Sequence, residues 1–275
     1  MYLVTGATGN VGSELVTALA GAGAPVRALV RRPDTPLPEG AEAVLGDLNR
    51  PDSLAGALDG VRGMFLLPGY EDAAGLLARA RDAGVRHVVL LSGESAALED
   101  MTNAVSRYMT LAERDVRASG LSWTFLRPRA FMSNALRWLP QLRAGDTVRV
   151  PFANVRAACV DPRDIADVAA RALAGDGHEG RIYELTGPES LLPADQIAVL
   201  AGVLGRDLRC VGLSDEEARA DMEQAMPPEY VAAFFSFYSD GTLDESKVHP
   251  DVLEVTGRPP RTFAQWATAH AEDFR

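Results

Sequence analysis

An α/β protein built on a doubly wound parallel sheet, with a small C-terminal lobe, is the fold class this sequence predicts, and three observations carry it. Short β-branched or apolar runs alternate with helix-period segments through the first half of the chain. The loops between them are short and hold the Gly, Pro and Asp residues that break regular structure. After Pro128 the alternation loosens, which marks a second and less regular region.

Taken in order, strands are expected from Tyr2 to Thr5, Val26 to Val30, Ala43 to Leu45, Gly63 to Leu67, His87 to Leu91 and Trp123 to Leu126. Between them, helical periodicity runs from Val11 to Leu19, Asp52 to Leu58, Ala73 to Ala83 and Ser106 to Ala118. Right-handed crossovers stack such βαβ units into one sheet covered on both faces. Further on, Asp161-Pro162-Arg163-Asp164 reads as a helix start, with proline in the first turn and carboxylates at the positive end of the dipole. That helix is expected from Ile165 to about Leu173, followed by a strand from Gly180 to Thr186 and a helix from Ala194 to Leu204 that stops at Gly205. The tail reads as more helices. The expected organisation is a core of residues 1–128 to which 156–187 return, with 129–155 and 188–275 forming a smaller lobe placed to cover a substrate.

Composition narrows the function classes. The chain has 275 residues, 47% hydrophobic and 24% charged, the balance of an ordinary globular protein. A net charge of −11 argues against a general nucleic-acid binder, which needs a basic footprint. No apolar run reaches the roughly 18 residues of a spanning helix, and the N-terminus leads straight into a strand, so no membrane association and a cytoplasmic location are expected. Cys159 and Cys210 lack metal spacing and read as small hydrophobes, and the four histidines His87, His178, His249 and His270 are scattered, so no metal is assigned. Of the 27 basic residues only Lys247 is a lysine, which leaves little room for lysine chemistry. The expected partner is a small molecule, with homodimer formation left open.

The run Thr5-Gly6-Ala7-Thr8-Gly9-Asn10-Val11-Gly12 lies between the first strand and the first helix. In that context glycines let the backbone turn, approach a pyrophosphate and pack helix on sheet, while the helix N-terminus offers free N–H groups. Gly6, Thr8, Gly9, Asn10, Val11 and Gly12 are therefore expected to cradle a dinucleotide on a Rossmann fold. The second strand ends Val30-Arg31-Arg32 with no carboxylate at its tip, and two guanidiniums there suit a ribose 2′-phosphate. A solvated basic loop is the alternative reading, but NADP(H) is favoured over NAD(H). Asp47 and Leu48 after the third strand are placed near the adenine. Leu66, Leu67 and Pro68, ending the fourth strand, are placed under the adenosine and ribose.

Together with Val89-Leu90-Leu91-Ser92, the stretch from Ala118 to Pro128, Phe131-Met132-Ser133-Asn134, Val160 to Ala166 and Tyr183 to Pro188, these motifs resemble the NmrA-like atypical short-chain dehydrogenase/reductases. That family includes type 2 quinone oxidoreductases and the phenylcoumaran and isoflavone reductases. The resemblance covers nearly the whole chain and implies a Rossmann core, NADP(H) binding and hydride transfer to a quinone, carbonyl or benzylic ether. The wider superfamily protonates its substrate with a Tyr-x-x-x-Lys pair, whose positions fall here on Val105 and Met109.

Two substitutes are available. Ser92, ending the fifth strand, is placed to hydrogen-bond a substrate oxygen or merely to cap the strand. Tyr108 shares roughly the helix face of Val105 and is either a proton donor or a packing residue. Phe131, Met132 and Asn134 are expected at the substrate, and Tyr230, Phe234, Phe237 and Tyr238 form an aromatic stripe that is either core or pocket wall. Asp161 and Asp164 are better explained by capping than by acid–base work. The sequence thus supports an NADPH-dependent reductase acting on a quinone or an aromatic or polyketide carbonyl. A non-catalytic NADP(H)-sensing regulator is the alternative.

Overall fold

The computed structural model describes residues 1–32 and 34–274. The chain enters the sheet at once with β1 (Tyr2–Val4), crosses over through α1 (Asn10–Gly21) and returns as β2 (Val26–Val30) and β3 (Ala41–Leu45). Next come α2 (Ala55–Leu58), β4 (Gly63–Leu66), α3 (Ala73–Asp82), β5 (His87–Leu91), α4 (Ala104–Ala118) and β6 (Ser122–Pro128). After a 3₁₀ segment at Met132–Trp138, the chain forms α5 (Leu139–Ala144) and β7 (Thr147–Val150). It goes back to the sheet with α6 (Pro162–Ala174) and β8 (Arg181–Leu185). The remainder is α7 (Pro193–Leu204), β9 (Arg209–Gly212), α8 (Asp215–Glu223), α9 (Pro228–Tyr238), α10 (Asp251–Thr256) and α11 (Phe263–Ala269).

Among the described residues the central sheet has seven strands in the order β3-β2-β1-β4-β5-β6-β8, every neighbouring pair parallel. Strand order reverses direction between β1 and β4, so a crevice opens at their carboxyl ends. The inner strands are apolar on both faces because helices cover both: Tyr2, Leu3 and Val4 are at most 1% exposed. One face packs on α1 and α6 through Leu15, Leu19, Ile165 and Val168, and the other on α2, α3 and α4 through Leu58, Leu76, Leu77 and Val116. A separate core in the lobe gathers Trp266, Phe263, Leu142, Val148 and Leu200.

The strand and helix expectations hold in kind and shift at their ends. The segment expected as one helix from Asp52 to Leu58 is instead a 3₁₀ turn at Pro51–Leu54 running into the short α2. There the Ser53 N–H donates to Arg50 O at 2.8 Å, the tighter i to i+3 closure. Helix α4 begins earlier than Ser106 because the Asn103 side chain accepts the Val105 and Ser106 N–H groups. The tail is not helical throughout: β9 pairs in parallel with β7, a partner about sixty residues away that periodicity does not reveal.

Asp161 and Asp164 perform the structural duties expected of them. The Asp161 carboxylate accepts the Arg163 N–H at 2.8 Å as the cap of α6, and Pro162 occupies the first turn. Asp164 accepts the Arg261 N–H at 2.7 Å and pairs with the Arg261 guanidinium, pinning the tail to α6. Replacing Asp161 by alanine is expected to cost about 1 kcal/mol and to lower the melting temperature by roughly 2–4 °C. Thermal denaturation followed by circular dichroism checks this; an unchanged melting temperature would show that the cap contributes nothing.

Candidate active site

The glycine loop is shaped by contacts that exclude side chains. Gly6 has φ +58°, and a Cβ there would lie 2.3 Å from Leu67 Cδ1. A Cβ on Gly12 would lie 2.1 Å from the Gly6 carbonyl oxygen, so only glycine lets α1 come this close to β1. The Gly9 N–H donates to Gly6 O at 2.9 Å to close the turn. No side chain caps α1, whose first N–H groups are therefore available to an anion, and Thr8, Gly9 and Asn10 lie exposed at this mouth. Val11 points inward and is buried. The arrangement fits a pyrophosphate.

Arg31 and Arg32 are both exposed at the tip of β2, and neither guanidinium bonds another described residue. Asp47 adjoins them. Its carboxylate accepts the Asn49 N–H at 3.0 Å and the Arg50 Nε–H at 2.9 Å, and these bonds hold it below the usual carboxylate range. Leu48 and Leu66 are buried in the core, which leaves only their backbone for a ligand, while Leu67 and Pro68 are partly exposed.

Beside the carboxyl ends of β5 and β6 lies a cavity of about 690 Å³. Ser92 after β5, Val105 and Met109 of α4, Phe131, Asn134 and the α9 residues Phe234, Phe237 and Tyr238 are among those that line it. A cofactor cradle at the switch point of the sheet, next to a large cavity at the neighbouring strand ends, is the arrangement of a dinucleotide-dependent site. Residues 6–176 match the NAD(P)H-binding family. The chain belongs to this family.

Relatives of the chain extend the match. It is 44% identical to the (4-alkanoyl-5-oxo-2,5-dihydrofuran-3-yl)methyl phosphate reductase of Streptomyces griseus subsp. griseus, over 100% of this chain and 99% of that one. It is 37% identical to the NAD(P)H azoreductase of Xenophilus azovorans, over 100% and 99%. The fold is shared with the NADPH-dependent quinone oxidoreductase of Escherichia coli in complex with NADPH. The TM-score is 0.79 at 22% identity, covering 98% of this chain and 99% of that chain. The family resemblance read from the motifs is borne out.

Several site residues expected in this NAD(P)H-binding protein are placed differently from their reading in sequence. Ser92 does line the cavity, but its hydroxyl donates to Glu113 Oε1 at 2.7 Å and the side chain is 3% exposed. Tyr108 does not line the cavity. Its hydroxyl donates to Pro68 O at 2.9 Å, and Gly69 at φ +98° leaves room for the ring, so it clasps the loop after β4. Met132 is 2% exposed and packs in the lobe core against Gly187, so it belongs to the packing and not to the cavity wall. Phe234, Phe237 and Tyr238 do line the cavity, whereas Tyr230 does not. Met109 packs its thioether against Gly93, filling the place where the superfamily carries lysine.

Charged residues that periodicity did not single out line the cavity, as Glu94, Arg129 and Glu245 do, or lie behind Ser92 in its wall, as Glu113 does. Glu113, one turn after Met109 on α4, is 1% exposed and takes both Arg127 bonds at 2.8 Å, with Arg117 at 3.1 Å. Arg129, 3% exposed, has its Nη1 at 2.6 Å from Glu94 Oε1, an ionic contact without hydrogen-bond geometry. Glu245 is 8% exposed and accepts the Tyr238 hydroxyl at 3.0 Å. A usable signal existed for Glu113 alone, in its i+4 spacing from Met109.

Two substitutions test this geometry. Gly12→Ala is expected to weaken NADPH binding by about tenfold or more in calorimetric titration, because the loop must shift to admit the methyl. Retained affinity would show that the close approach is not needed. Glu113→Ala leaves Arg127 buried without its partner, and urea denaturation is expected to show a loss of about 3–5 kcal/mol.

Proposed function

We propose that this protein is an NADPH-dependent reductase of electron-poor conjugated acceptors, a class that holds quinones, aromatic or polyketide carbonyls and acylated butenolides. The single observation that carries this reading is the cavity of about 690 Å³ walled by aromatic side chains at the carboxyl ends of β5 and β6, on the same edge of the sheet as the glycine loop. A flat, largely apolar molecule fits such a wall. The Streptomyces relative is named for an alkanoyl-dihydrofuranone phosphate and the Xenophilus relative for azo compounds, and both names describe acceptors with a conjugated electron sink. When bound, the reduced nicotinamide would supply a hydride to such an acceptor.

Conjugation also answers the filled positions of Val105 and Met109. An isolated ketone becomes a strongly basic alkoxide and needs an acid at hand, whereas a quinone or acyl butenolide becomes a delocalised anion of much lower basicity. Residues of this chain then orient and desolvate: Phe131 and Phe234 hold the plane of the acceptor, and Asn134 offers an amide to a substrate oxygen. Val105 and Met109 also favour a second reading, a regulator that senses NADP(H) without turnover.

The decisive assay measures NADPH absorbance with menadione, an azo dye and an alkanoyl-dihydrofuranone methyl phosphate. Consumption with at least one of them is the expected result. Tight NADPH binding with no consumption on any would move the conclusion to the sensor. For cofactor choice, Arg31→Ala is expected to weaken NADPH about ten- to a hundredfold and leave NADH unchanged, since a hydrogen bond to a charged group contributes about 1.5–3 kcal/mol. Selectivity that survives the substitution would remove Arg31 from the 2′-phosphate site.

A further inference from the structure

Two buried carboxylates, Glu113 and Glu245, and the partly buried Glu94 stand at or under the cavity wall, and their counter-charges differ. Glu113 has two arginines and Glu94 has one. Glu245 has none: among the described residues no cation lies within ion-pair distance of it, although it is 8% exposed. Its carboxyl group is met only by the Tyr238 hydroxyl at 3.0 Å and the backbone N–H of Ala130. A carboxylate removed from water without a cation is costly, and the usual outcome is that the group keeps its proton.

The charges around Glu245 leave that outcome in place. Arg129 from the end of β6 acts on it at longer range but is held by Glu94, and Glu94 itself repels it. His249 has its Nε2 3.3 Å from Arg129 Nη2 and its Nδ1 2.8 Å from Glu184, so its ring is engaged by those two groups and not by Glu245. Cys159, close enough for the Glu245 charge to act on it, has its thiol pushed up to about 12 by burial and is uncharged. Arg137 acts on Tyr238 from the rim of the cavity, yet burial and the neighbouring Glu245 hold the tyrosine well above its usual value. Burial likewise pushes the Glu245 carboxyl up out of the ordinary carboxylate range.

We propose that Glu245 is held as a neutral carboxylic acid and that, through the Tyr238 hydroxyl, it delivers the proton that completes reduction in the cavity. The proposal rests on the reductase reading above. Both side chains line the cavity, Tyr238 from α9 and Glu245 seven residues further along. With the carboxyl group protonated, the 3.0 Å contact in which Tyr238 donates to Glu245 would run the other way, from Glu245 to the tyrosine oxygen, and would release the Tyr238 hydrogen toward the acceptor.

When bound, NADPH would supply a hydride and leave as NADP⁺, so that the acceptor would remain as an anion one proton short. The Tyr238 O–H bond breaks as its proton joins that anion, while the Glu245 O–H bond breaks and its proton restores the tyrosine. The carboxylate so formed takes a proton from water after the product leaves. The tyrosine is never left as an anion in an apolar cavity, which is what a raised hydroxyl requires.

The test uses the full chain and three variants, Glu245→Gln, Glu94→Gln and Tyr238→Phe. Infrared spectra without cofactor at near-neutral pH are expected to show the C=O stretch of a neutral carboxylic acid, shifted in deuterated water, lost in Glu245→Gln and kept in Glu94→Gln. Absence of that band, or its loss in Glu94→Gln instead, overturns the proposal. Folded Glu245 keeps its proton above the ordinary carboxylate range and the unfolded chain does not, so thermal stability falls as pH rises out of that range. Glu245→Gln is expected to make that fall shallower.

With the best acceptor of the panel, Tyr238→Phe is expected to lower kcat by about a hundredfold with the NADPH affinity unchanged. Unchanged kcat removes the relay even if the infrared band is present. If the parent consumes NADPH with none of the acceptors, the reductase reading falls and proton delivery falls with it, while the infrared band still decides whether Glu245 holds a proton.

Discussion

Seven strands that all run the same way place every strand's carboxyl end on one edge of the sheet, and the rest of the molecule is arranged by that constraint. Parallel neighbours cannot be joined by tight turns, so each needs a crossover, and the crossovers cover both faces with helices. The loops that follow β1, β2, β4, β5 and β6 are thereby gathered along one rim although they are far apart in sequence. The glycine loop, Arg31, Pro68, Ser92 and Arg129 all come from that rim. The close approach of Gly12 to the Gly6 carbonyl sets how near α1 comes to the strand that carries it.

The lobe completes the site by a different logic. It has its own apolar core around Trp266 and Phe263, and it is joined to the sheet layer both by directional contacts and by α10, whose Val252 enters the core beneath α1 and α6. Asn10 donates to Ser133 across the mouth at 3.1 Å, and Asp164 holds Arg261 of the tail on α6. The cavity is what remains between an apolar lobe and the polar rim of the sheet. Its wall therefore mixes aromatic rings with buried charges.

Those charges divide by partner. Arg127 and Arg117 saturate Glu113, which in turn accepts the Ser92 hydroxyl, so this cluster is rigid and its hydrogen-bonding capacity is largely used. Across the cavity, Glu245 has hydrogen bonds but no cation. On the proposal above, the contrast would let the cavity keep polar function inside an apolar space: one carboxylate fixes geometry, and the other holds a proton.

Periodicity and turn residues determined the fold class, the order of the core elements and the glycine loop, because each depends on neighbours a few residues away. They located the strand from His87 to Leu91 at both ends and the helix stop at Gly205, where φ is +64°. The aromatic stripe was legible too, but not which of its members face the cavity. Tertiary structure alone decided that Ser92 serves Glu113, that Tyr108 clasps Pro68, that Met132 belongs to the core and that β7 pairs with β9. It alone brought Glu94, Arg129, Tyr238 and Glu245 together. The physical reason is that hydrogen bonds and ion pairs act over a few ångströms in space, and parallel crossovers bring within that range residues whose spacing along the chain carries no period.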